Sequence, residues 1–131
     1  MTDRRPDRVY GMLVREGRVF LRACPGGLAL PGGVFRPLAE DRKVELKAHL
    51  FDQLGIEARS VWAQGAFDYH HPDEAGPAFS GFYSVWEWDG DISPALGEWL
   101  DREGVADAPE IPASLRILLL SVLETVALRT T

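Results

Sequence analysis

Residues 30–56 read LPGGVFRPLAEDRKVELKAHLFDQLGI. Pro31, Gly32 and Gly33 stop any regular helix and leave a loop whose backbone can approach a ligand closely, because glycine carries no Cβ. From Asp41 to Leu54 neither proline nor glycine interrupts, and Gly55 stands where a helix often closes in the left-handed conformation. The pattern therefore predicts a helix over 41–54. At about 100° per residue, Val44, Leu46, Leu50, Phe51 and Leu54 fall on one broad arc. Asp41, Glu45, His49, Asp52 and Gln53 fall on the other, while the stems of Lys43 and Lys47 snorkel from the apolar side. A glycine loop leading into a helix N-terminus suits phosphate, since backbone groups and the helix partial positive charge converge there. The chain has no G-x-x-x-x-G-K-[ST] and no correctly spaced G-x-G-x-x-G, which excludes a P-loop and a dinucleotide fingerprint.

Upstream of this stretch, Val9 to Arg15 and Val19 to Arg22 are apolar-rich segments joined by Glu16-Gly17-Arg18, the signature of a β-hairpin. Leu28-Ala29-Leu30 is a brief strand between glycine turns. Downstream, 58–69 and 79–88 are aromatic-rich strands around the polar loop His70-His71-Pro72-Asp73-Glu74-Ala75-Gly76-Pro77, which is expected to wall a site facing the helix. Residues 90–112 are irregular by pattern, apart from a short strand at Glu98-Trp99-Leu100. A second helix, 113–128, is apolar nearly all round and needs the sheet to cover it. Hairpin, glycine loop, helix, strands and helix in this order give an α/β (α+β) sandwich, a mixed sheet between helices, over one domain spanning 1–131.

A chain of 131 residues, 46% hydrophobic and 26% charged, has the composition of a globular protein able to bury its own core. Its only cysteine, Cys24, cannot form an intrachain disulfide, and no apolar segment follows the charged N-terminus, so a cytoplasmic location is expected. The apolar stretch 117–128 is interrupted by Ser121, Glu124 and Thr125 and falls short of the roughly 18 residues a membrane span needs. A net charge of −6 disfavours a nucleic-acid polymer, and Arg4, Arg5 and Arg8 are too few for a phosphate track. A small phosphorylated ligand would need a cation, backbone amides or local basic groups to offset repulsion.

Leu30-Pro31-Gly32-Gly33, Glu40, Leu50, Gly55 and Ile56 resemble the box of the Nudix hydrolase (MutT-like) superfamily, G-x5-E-x7-R-E-U-x-E-E-x-G-U with U aliphatic. The resemblance extends to the order of elements over nearly the whole chain. It departs in three places: six residues separate Gly33 from Glu40, Ala48-His49 replaces Arg-Glu, and Asp52-Gln53 replaces the paired glutamates. The resemblance implies a divalent cation, magnesium or manganese, that neutralises a diphosphate and activates water. Imidazole in place of a carboxylate weakens a magnesium site and tolerates zinc.

Glu45, His49 and Asp52, at i, i+4 and i+7, project within one sector, and Gln53 adds a neutral oxygen. These four are the candidate metal ligands, with Asp52, His49 and Glu45 also the candidate catalytic groups; the simpler reading, and the commoner one for such a face, is the solvated side of an amphipathic helix. Gly32, Gly33, His70 and His71 are the candidate substrate contacts, and His70 and His71 are also explained by turn chemistry and solubility. Glu74, Glu98, Glu103 and Glu110 are alternative sources of a general base. Of the aromatics Trp62, Trp86, Trp88, Trp99, Phe67, Tyr69, Phe79 and Tyr83, one or two are expected to line a pocket. The partner is a small nucleotide-like phosphorylated ligand, and a homodimer is left open. The first reading is metal-dependent hydrolysis of a nucleoside diphosphate linked to another moiety, with low activity. Its alternatives are a catalytically silent nucleotide-binding or regulatory module of the same fold, and a protein with no small ligand.

Overall fold

The structure is a computed structural model that describes residues 7–35 and 41–130, with side chains as far as Thr125. The predicted hairpin consists of β1 (Arg8–Arg15) and β2 (Arg18–Cys24). Its two-residue turn, Glu16-Gly17, has φ of 54° and 74°. Both values are positive, as a type I′ turn requires, and the turn sets Val14 opposite Val19 and Arg15 opposite Arg18. β3 (Gly27–Ala29) follows on β2.

The glycine loop proves to be partly a strand. β4 (Gly32–Val34) pairs antiparallel with the start of β1, setting Val9 opposite Gly33 and Tyr10 opposite Gly32. Three residues are too few to show a period in sequence, so only the pairing reveals the strand.

α1 (Arg42–Leu54) begins at Asp41, whose carboxylate accepts from the Lys43 and Val44 amides, and closes at Gly55 in the left-handed conformation, φ 72°. Leu46, Leu50 and Leu54 are buried, as expected. Val44 and Phe51, placed on the apolar arc from sequence, are 61% and 58% exposed. Glu45, placed on the polar arc, is buried. The helix is thus rotated toward β4, because a stripe centred on the leucines suffices against the sheet and leaves the edges of a broad arc in solvent.

β5 (Glu57–Tyr69) and β6 (Ala78–Asp89) form a long antiparallel pair, and β6 runs parallel to β1. The strand order is β3-β2-β1-β6-β5, with β4 on β1 and β7 (Gly97–Leu100) on β2. The sheet is mixed, as expected. The segment read as irregular also contains a 3-10 turn at Pro94–Leu96 and a short helix, α2 (Arg102–Ala106), capped by Asp101. α3 (Ala113–Thr130) completes the chain, and Arg116 secures its entry by donating to the Ala108 and Ile111 carbonyls at 2.7 and 2.8 Å.

Side chains alternating along β1 divide the core into two. Tyr10, Met12 and Val14 join Phe82, Leu115, Leu119 and Leu123 under α3, while Val9 and Leu13 join Leu46, Leu50, Val85 and Trp88 under α1. α3 is covered on one side only, since Ile117 is 70% exposed. No helix among the described residues is long and apolar enough to cross a membrane.

Candidate functional site

β4 lies between β1 and α1, held from both sides. The Gly11 amide donates to the Pro31 carbonyl at 2.9 Å, and the Phe35 amide to the Asp7 carbonyl at 2.9 Å. From α1, the Gln53 side chain donates through Nε2 to the Gly32 carbonyl at 2.8 Å and accepts from the Gly32 amide through Oε1 at 3.0 Å. One turn earlier, His49 Nε2 lies 2.8 Å from the Val34 carbonyl, to which it donates. Glycine is required at position 32, where a Cβ, at φ +143°, would lie 2.1 Å from the Val9 carbonyl oxygen; one on Gly33 would lie 3.1 Å from His49 Cε1, a tight contact to which the imidazole would have to yield.

Of the four candidate ligands, Glu45, His49 and Gln53 face the sheet side of α1, where Glu45 is buried and His49 and Gln53 are half-buried. Asp52 is exposed. Among the described residues, no three His, Cys, Asp or Glu side chains stand together in an arrangement that could hold a metal ion. Both heteroatoms of the Gln53 amide are engaged by Gly32, and the His49 nitrogen nearest β4 is engaged by Val34. This donor set does not fit the hard divalent cation that the box resemblance implied, which needs several free oxygens at one point. The structure separates the four: His49 and Gln53 meet β4, Glu45 is buried and Asp52 is exposed, and helical spacing could not reveal that β4 would be a partner. Glu40 lies outside the described residues.

The His70–Pro77 loop sits elsewhere than expected. It crosses the α3 side of the sheet, over the turn between β2 and β3, rather than facing α1. The Gly26 amide donates to Asp73 Oδ1 at 3.0 Å, and a Cβ on Gly26 would meet the Pro72 carbonyl oxygen at 2.5 Å. Arg8 and Glu74 form an ion pair at 3.5 Å. His71 stacks on Tyr10, with ring centroids 5.8 Å apart and planes 17° from parallel, and meets Tyr69 edge-on. Its Nδ1 accepts from the Asp73 amide at 3.0 Å, which requires the neutral ring. Burial lowers the His71 pKa below its ordinary value, against the opposing pull of Asp73 and Glu74. His70 is exposed and bonds through Nε2 to the Glu74 carbonyl at 2.7 Å.

Tyr10, which the sequence pattern did not single out, is the centre of this cluster, touching Tyr69, His71 and Phe82. Burial pushes its hydroxyl up to about 12, so it stays a neutral donor. Burial, reinforced by Asp73, also raises the Cys24 thiol pKa and keeps it protonated. The signal for Tyr10 in the sequence is its place in the first strand of the hairpin; its position beside the glycine strand comes from the pairing of β4 with β1.

Superposition on solved structures settles what this architecture is. The chain matches a mutator MutT protein of Bacillus halodurans with a TM-score of 0.71, at 20% identity, over 88% of this chain and 80% of that one. It matches a MutT Nudix hydrolase of Burkholderia pseudomallei at 0.66 and 20% identity, over 89% and 97%. The chain has the Nudix fold. A hydrolase of the Nudix family from Clostridium perfringens superposes at 0.72 with only 11% identity, over 91% and 96%. No protein-family model and no curated protein matches the sequence itself. Within this Nudix fold, Gln53 and His49 of α1 are hydrogen-bonded to the backbone of the glycine strand.

Proposed function

We propose that this chain is a Nudix-fold nucleotide-binding or regulatory module that takes up a small phosphorylated, nucleotide-like ligand without hydrolysing it. The observation that carries this reading is the paired hydrogen bond between Gln53 and Gly32. A cation able to polarise a diphosphate and lower the pKa of bound water needs anionic oxygen ligands free to face it. Here the helix directs an amide and an imidazole at β4, and the strand backbone occupies them. The ligand class rests on the fold likeness and on the chain's net charge of −6, which leaves backbone amides and local arginines to receive an anion.

One observation favours the competing reading, metal-dependent hydrolysis of a nucleoside diphosphate linked to another moiety. Asp52 is exposed, has no partner among the described residues and sits one turn from His49.

A thermal-shift and phosphate-release panel separates the two. Nucleoside diphosphate sugars, dinucleotides and nucleoside triphosphates are assayed with and without magnesium, manganese or zinc, for the native chain and Asp52→Ala. The expected result is nucleotide-dependent stabilisation, by mass action on the folded state, without phosphate release. Metal-dependent release that Asp52→Ala abolishes would replace this proposal with the hydrolase.

A further inference from the structure

The end of the sheet remote from the glycine strand carries a second feature, independent of the reading above. Arg15 and Arg18 are cross-strand partners, placed opposite each other by the two-residue turn Glu16-Gly17. Like charges directly opposite on an antiparallel pair destabilise it. Relief by a carboxylate is the usual remedy, yet neither arginine has one within 4.0 Å among the described residues. Both are exposed, and both line a cavity of about 240 Å³ together with Glu16, Asp91, Ile92 and Trp99. Arg15 is not loose: its guanidinium lies 3.9 Å above the Trp88 ring, and Trp88 stacks on Trp99 with centroids 6.1 Å apart. Trp99 in turn packs edge-on against Phe20.

From this arrangement we infer that the Arg15–Arg18 pair is a binding site for a small oxyanion carried on a flat aromatic body. Each guanidinium is a planar fork of N–H donors that matches a carboxylate or a phosphate ester, and both line the cavity. Trp99 and Ile92 supply the apolar wall on which the ring lies. Glu16 and Asp91 set an upper limit on ligand charge, since their carboxylates repel a polyphosphate while tolerating a singly or doubly charged group. The cation–π contact holds Arg15 in place before a ligand arrives, so Arg18 is the group that ligand binding orders.

Tryptophan fluorescence and indole NMR shifts read the site directly. The native chain is titrated with benzoate, phenyl phosphate, inorganic phosphate and, as a neutral control, benzyl alcohol. Saturable changes at the Trp99 indole are expected with benzoate or phenyl phosphate; the stronger of the two identifies a carboxylate or a phosphate ester. Arg18→Gln is expected to weaken that binding at least about tenfold, because a charge-assisted pair is lost. The same substitution should leave the ligand-free melting temperature unchanged or higher, because it removes the opposed charge. That opposite response distinguishes a binding role from a structural one. The proposal is overturned by the absence of a saturable shift with either aryl anion, by equal affinity in Arg18→Gln, or by a response to benzyl alcohol that matches the anions.

Discussion

The side-chain amide of Gln53 and the backbone of Gly32 exchange two hydrogen bonds, at 2.8 and 3.0 Å, across 21 residues of sequence. Helix and strand are thereby fixed to each other at the point where the box resemblance implied a cation. Gln53→Ala leaves both Gly32 groups without this partner and is expected to cost about 1–3 kcal/mol in urea unfolding. Gln53→Glu should be as harmful at neutral pH, since a carboxylate would face the Gly32 carbonyl. Its penalty should shrink as the pH falls and the acid regains a proton to donate, because a carboxyl whose folded pKa is raised binds more protons folded than unfolded. A pH-independent penalty would show that the amide does not act through this pair.

Gly32 and Gly17 both have positive φ, but only the first is crowded. Gly32→Ala drives a methyl into the Val9 carbonyl and should destabilise by on the order of 3 kcal/mol or more. Gly17→Ala meets open space and should cost about 1–2 kcal/mol, the left-handed penalty alone. Equal values from denaturant melts would argue against the close approach of β4 to β1.

The rotation of α1 can be tested with adjacent residues. Leu50 is fully buried and Phe51 is 58% exposed. Leu50→Ala should cost about 2–5 kcal/mol, whereas Phe51→Ala should fall within about 0.5 kcal/mol of the native chain. Comparable losses would restore the broad apolar arc expected from sequence.

His71 couples the loop to pH. Its folded pKa is lowered by burial, so between the folded and unfolded pKa values the unfolded chain binds more protons, and stability rises with pH. The melting temperature should therefore fall as the pH drops from neutrality through the ordinary histidine range and below. His71→Gln should flatten that part of the profile, and NMR titration of the imidazole should give a midpoint below the usual value. A profile unchanged by the substitution would place the acid sensitivity elsewhere.

The sequence alone determined the order of the larger elements, though not β4 or α2, because the signals involved are local. A two-residue turn, an uninterrupted stretch between Asp41 and Gly55, and alternating aromatics each constrain their own backbone. It also determined that the glycine loop leads into a helix, and it singled out His49, Gln53, Gly32 and Gly33. What those residues do was decided by tertiary structure. Side-chain spacing specifies an angle around the helix axis but not what lies at that angle, and β4 was too short to be read as a strand that could meet it. The same limit explains the loop at His70 and His71, whose direction depends on Asp73 reaching Gly26 across 47 residues. It explains the Arg15–Arg18 pair as well: the turn dictates that they face each other, but only the packing of Trp88 and Trp99 makes the place a cavity. Local chemistry is written in neighbouring residues, whereas a site is made by groups distant in sequence that become neighbours only when the sheet closes.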